Sequence, residues 1–162
     1  MSPLSQIEGR QPAEVVAEMF WDEGYSAERT VAAAELAGEL VRYLNHATRH
    51  AEALPDPAAV AAVVGATTTL IGRLPQLLEQ TASTAHAMAK DTRLRVDDLG
   101  PVPAGGAAQM AADAGRALSA TAYQVDEAYQ QMVRAAGPRT SRLYLAEAPT
   151  MSATADAAAD GW

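Results

Sequence analysis

Apolar residues recur along this chain every three or four positions, in four blocks separated by proline and glycine. That period belongs to helices; only Leu94 and Val96 alternate, weakly, as a strand would. Pro12 suits a first helical turn, where its missing N–H would be unpaired anyway, and Val15, Val16, Met19 and Phe20 follow before Gly24 stops the helix. Ser26 is a good N-cap for a second helix. Its stripe runs Ala33, Leu36, Leu40, Leu44, Ala47, Ala51, Leu54, and Pro55 is expected to end it. Asp56 and Pro57 open a third helix as N-cap and first residue. Its apolar positions are doubled, at Val63/Val64, Leu70/Ile71 and Leu77/Leu78, which suits a helix with more than one neighbour. Pro75 lies inside this block and takes away the donor to the Ile71 carbonyl, so one bent helix is expected from Pro57 to about Lys90. A threonine at 67, 68 or 69 lies near enough to reorganise that turn. The fourth block, with Met110, Ala114, Leu118, Ala122, Val125, Ala128 or Tyr129, and Met132, runs to Ala136, where Gly137-Pro138 reads as a stop.

The pattern predicts an all-α fold: an antiparallel bundle of three long helices with a short N-terminal helix against an end or flank, the third helix kinked at Pro75. Residues 1–11 read as a flexible leader, 12–145 as one helical-bundle domain with a long linker at 91–106, and 146–162 as a disordered tail. The run Ile7-Glu8-Gly9-Arg10 matches an engineered protease site; both an expression remnant and a natural sequence fit it.

Composition narrows the function. The 162 residues include no cysteine, which excludes disulfides, thiolate metal sites and a cysteine nucleophile. A net charge of -8 argues against general nucleic-acid binding, which depends on Lys and Arg at phosphates. Alanine occupies 38 positions, so helices can approach closely. No segment reads as a bilayer span or a signal peptide, so a cytoplasmic protein without membrane contact is expected.

Candidate chemistry is sparse. His46 and His50, four apart, would share a helix face as a metal pair would, but no H-E-x-x-H is formed and Arg49 sits between them. Tight metal binding is not expected, because two imidazoles lack the further ligands zinc takes. Asp97-Asp98, with Asp91 upstream, could hold Mg²⁺ or Ca²⁺, yet Arg93 and Arg95 lie among them without Ca²⁺-loop spacing. Arg134, Arg139 and Arg142 gather where the last helix ends, the first of them suited to its negative terminus. Leu143, Tyr144 and Leu145 form an apolar cluster that must dock on the bundle or on another chain. Arg42 and Tyr43 on the second helix, and Arg73 and Gln76 around the kink, are the polar residues that could line a groove for a peptide or small ligand. Tyr123 to Glu127 fits the Y-x-x-x-[DE] pattern of type VII secretion substrates, while Trp21-Asp22-Glu23-Gly24 is one residue too long for the accompanying W-x-G.

Two fragments, Leu40-Val41-Arg42-Tyr43-Leu44-Asn45-His46-Ala47-Thr48 and Arg73-Leu74-Pro75-Gln76-Leu77-Leu78-Glu79-Gln80, together with the alanine-rich last helix, resemble small helical proteins of actinomycetes often found with mobile or conjugative elements. The resemblance spans roughly residues 28–136. It implies a helical fold and a genomic setting, and it brings no catalytic residue.

The reading is a non-enzymatic helical interaction or accessory protein with no cofactor, no metal and no catalytic residue. It is expected to self-associate as a homodimer and to be linked to a mobile element; an unknown protein partner is a further expectation. Interface candidates are Val64, Ile71, Leu78, Leu143, Tyr144 and Leu145. The alternatives are a type VII secretion-related helical substrate or partner, and a metal-dependent enzyme using His46 and His50.

Overall fold

A computed structural model of the chain describes residues 9–21, 24–97, 101 and 104–144. The fold is all-α, with no strand among the described residues. In chain order the helices are α1 (Pro12–Phe20), α2 (Ala27–Ala47), α3 (Pro57–Met88), α4 (Gly106–Gln131) and a short α5 (Gly137–Thr140). The chain divides into two compact units between Leu54 and Pro55, where the sequence reading ran one domain from 12 to 145. The break falls at Pro55-Asp56-Pro57, where two prolines bar a helix from continuing.

In the first unit, α1 opens with the Gln11 N–H donating to the Glu14 carboxylate at 3.3 Å. Gly24, at φ +77°, takes a conformation that side chains disfavour and turns the chain toward α2. Ser26 caps α2 as expected, its hydroxyl accepting the Arg29 N–H at 3.2 Å.

Two expectations for α2 are corrected. It ends at Ala47, not at Pro55, although the apolar stripe continues to Leu54. Thr48 donates its hydroxyl to the Leu44 carbonyl at 2.8 Å, and the next N–H groups, of Arg49 and His50, reach back only three residues, to His46 and Ala47. This tightened turn replaces the α-helical ladder, and His50 leaves it in extended conformation, at φ -105° and ψ 128°, before a 3₁₀ turn at Ala51–Ala53. The helix is therefore about 32 Å long at ~1.5 Å per residue, shorter than expected.

In the second unit, Asp56 caps α3, accepting the Ala59 N–H at 2.8 Å, and α3 runs unbroken through Pro75 to Met88. The threonines expected to reorganise the kink act one turn earlier: Thr68 donates to the Val64 carbonyl and Thr69 to that of Gly65. α4 starts at Gly106 and packs against α3. Gly72 lies against the Tyr129 ring, the Glu79 carboxylate accepts the Ser119 hydroxyl at 3.0 Å, and Gly115 lies against the His86 imidazole. Residue numbers rise on one helix as they fall on the other, so α3 and α4 are antiparallel.

The last turn of α4 differs from expectation. Gly137-Pro138 does not stop the helix. Residues Met132–Ala136 form a π-helical turn, in which the Gly137 N–H reaches back five residues to the Met132 carbonyl, and α5 carries the chain on to Thr140. Pro138 has no N–H to give, and the wider turn shifts the hydrogen-bond register just ahead of it, so helical structure passes the proline. The tail expected to be disordered, 146–162, lies outside the described residues, as do Leu145 and most of the leader.

Candidate functional site

One row of buried and half-buried positions runs along α3 and α4 in alternating steps of three and four. On α3 the row is Val64, Thr68, Ile71, Pro75, Leu78, Ala82 and Ala85, reaching Ala89 just past its end; on α4 it is Ala111, Gly115, Leu118, Ala122, Val125 and Tyr129, continued in the π turn by Met132 and Ala136. Each of these is buried or half-buried. A sustained 3–4 spacing on two antiparallel helices is the seam of a coiled-coil hairpin. Its fully buried members are small: Ala82, Ala122 and Gly115. No large side chain is fully buried among the described residues. A β-carbon on Gly115 would come within 2.7 Å of the His86 ring, and one on Gly72 within 2.7 Å of Tyr129, so both glycines admit a ring from the facing helix.

This seam assigns the doubled apolar positions. Val64, Ile71 and Leu78, the interface candidates on α3, lie in the intrachain row against α4. The other member of each doublet belongs to the row one residue back: Val63, Thr67, Leu70, Leu74, Leu77, Thr81, Thr84, Met88. Stepping back one residue turns an α-helix by about 100°. Because the two helices are antiparallel, the same step turns both rows to the same side of the hairpin. The matching row on α4 is Met110, Ala114, Ala117, Thr121, Gln124, Ala128, Gln131, Ala135.

These sixteen positions contain no formal charge. Leu77 is 53% exposed, Met88 52%, Met110 43% and Leu70 38%. The rows one residue forward, on the opposite side, carry Glu79, Lys90, Arg116 and Asp126. Arg116 is paired there with Asp113. One side of the hairpin is therefore an uncharged, largely apolar strip, and the other an ordinary solvated face. The signal was present in the sequence as the doublets; without the antiparallel pairing, it did not say which member points away from α4.

The remaining candidates are accounted for locally. His46 lies in the last turn of α2 and His50 stands in extended backbone beyond it, so they do not share a helical face. Among the described residues no three His, Asp or Glu side chains lie together to hold a metal ion. Asp91 forms an ion pair with Arg93 at 2.7 Å and accepts the Arg93 N–H, and these two bonds hold its carboxyl below the usual range. Arg95 donates to the carbonyls of Thr92 and Leu94. Asp98 lies outside the described residues. Lys90, Asp91, Thr92 and Leu94 border an open cleft of about 310 Å³ with Ala89, Gly105, Ala107 and Ala108. Its one carboxylate is already engaged by Arg93.

Arg42 pairs with Glu39 on the exposed surface of α2, beside the exposed Tyr43. The Tyr123 hydroxyl donates to the Glu127 carboxylate at 3.2 Å within one turn of α4. Arg73 and Gln76 are exposed on α3. Arg134 lies in the π turn, Arg139 in α5 and Arg142 in the turn after it. Leu143 and Tyr144 do not fold back under cover: they are 60% and 83% exposed.

By length and composition α3 reaches the level of a membrane-crossing helix, with a mean hydropathy of 1.4 over its most apolar 18 residues. This differs from the expectation that no segment approaches a span. The doubled rows raise the apolar content around much of the helix, one row serving the seam and the other the uncharged side.

No protein-family model matches this chain, and no match was found among curated proteins or solved structures.

Proposed function

We propose that this chain is a non-enzymatic interaction protein that acts by self-association, with the uncharged side of the α3–α4 hairpin as its binding surface. The observation that carries the reading is the absence of charge from all sixteen positions of that side in a chain of net charge -8. Leu70, Leu77, Met88 and Met110 stand exposed on this side, and grouped exposed apolar side chains mark interaction sites. The half-buried seam supports the same reading, since its fully buried members are only alanine and glycine. Covering a second face adds the apolar burial that two helices alone supply poorly. We place the protein in the cytoplasm and read the apolar character of α3 as serving helix packing. The actinomycete mobile-element setting is what the fragments at 40–48 and 73–80 imply, and an accessory role fits it.

Light scattering at micromolar concentration tests the proposal. The expected mass is twice the 16.9 kDa of one chain. A single-chain mass that persists at high concentration would contradict it.

A further inference from the structure

The uncharged side suits one occupant in particular. Two copies of a chain of net charge -8 repel each other, and an interface about a two-fold axis brings each patch onto itself. A patch bearing charge would need its complement within the same patch. A patch with none pairs with itself without leaving a buried charge unmatched. The size fits as well. From residue 63 to residue 88 the strip is about 39 Å long at ~1.5 Å per residue. Two helices about 9 Å apart make it roughly 18–20 Å wide. The product is on the order of 700–800 Å² per copy, close to the ~800 Å² that each partner contributes to a standard stable interface.

The side chains also select how the copies stack. The α3 row is bulky at its middle, with Leu70, Leu74 and Leu77; at the same levels the α4 row carries Gln131, Ala128 and Gln124, followed toward its start by Thr121, Ala117 and Ala114. Two-fold stacking of two hairpins has two forms. With the axis across the helices, α3 lies on α3 and α4 on α4. Leucine then meets leucine on one side, while the other side brings together the alanine, threonine and glutamine positions of α4, two contacts that want different separations within one rigid layer. With the axis along the helices, α3 lies on α4 of the other copy and α4 on its α3. Both contacts are then identical by symmetry, with Leu70, Leu74 and Leu77 set against Gln131, Ala128 and Gln124, at one common separation.

Resting on the self-association proposed above, we infer that a second copy of this chain covers the uncharged side in the second form: α3 over the other copy's α4, with the α3–α4 connections of both copies at the same end. Leu77 of one copy then stands near Gln124 of the other. These two positions lie at one level of the hairpin, as do the packed pairs Gly72 with Tyr129 and His86 with Gly115.

The chain has no cysteine, so single cysteines report this directly. Leu77→Cys and Gln124→Cys proteins are prepared separately as full chains, mixed, and oxidised mildly, and the products are weighed by mass spectrometry with light scattering on the reduced samples. The expected result is a mixed disulfide dimer joining the two variants, with no disulfide dimer in Leu77→Cys or Leu74→Cys alone. Leu74→Cys or Leu77→Cys linking to itself would place α3 on α3 and overturn the stacking. A dimer mass with none of these links would overturn it too, and in both cases self-association itself survives. A single-chain mass in the reduced variants and in the unsubstituted chain would overturn both.

Discussion

Replacing Ala122 with aspartate strongly destabilises the α3–α4 hairpin at neutral pH. Ala122 is 2% exposed and sits at the middle of the seam, on the row that faces Leu78 and Ala82. No cationic residue occupies either seam row to receive the carboxylate. An unpaired buried charge costs roughly 3–5 kcal/mol, a large part of the ~5–15 kcal/mol by which domains are stable. The melting temperature should fall by about 10 °C or more. Ala120→Asp, two residues away on an exposed position of the same helix, should change it little. The sign of the pH dependence separates charge from bulk. Burial raises the carboxyl's folded pKa above its unfolded value of about 3.9, so the deficit is smallest near that pH and grows as pH rises toward the folded value. A deficit independent of pH would assign the effect to volume alone.

The double substitution Leu70→Glu/Leu77→Glu leaves the fold intact and abolishes self-association. Both leucines are substantially exposed, and glutamate is a good helix former, so helical content should be unchanged. In a two-fold dimer the change places four carboxylates on an interface that had none. Burying them, or holding them against each other, is expected to weaken association at least ~100-fold, about 3 kcal/mol. Gln80→Glu, on the outward surface of α3, should leave the dissociation constant within about two-fold. Sedimentation of the three proteins across a concentration series reads both values. Equal association in the double variant and the unsubstituted chain would remove the uncharged side from the account.

The helix starts were legible because their signals are local. Ser26 and Asp56 accept their N–H groups where the sequence places them, and Pro57 opens α3. The all-α class followed from the period of the apolar residues. Helix ends were less legible. The stripe through Ala51 and Leu54 continues in the sequence, but at Thr48 a hydroxyl bond and three-residue backbone bonds compete with the ladder, and periodicity does not register that competition. Pro138 read as a stop because the donor it lacks is plain in the sequence, while the π turn that carries the helix past it depends on register and is not. The doublets on α3 announced two faces, and the pairing of Gly72 with Tyr129 and Gly115 with His86 was needed to tell them apart. Small residues opposite rings carry no sequence pattern beyond a helical glycine. The same limit applied to His46 and His50, whose spacing implied a shared face only while α2 was taken to continue between them.

Two methionines lie on the uncharged side at one level of the hairpin: Met88, 52% exposed, and Met110, 43% exposed. Met19, in the other unit, is 53% exposed and serves as an internal reference. Peroxide oxidation of the full chain, followed at each methionine by peptide mass spectrometry from nanomolar to high micromolar concentration, tests directly whether that side is the surface on which copies meet. The account predicts that Met88 and Met110 become protected several-fold as concentration rises through the association range, while Met19 oxidises at a constant rate. Oxidation of Met88 and Met110 at rates independent of concentration, in step with Met19, would contradict it.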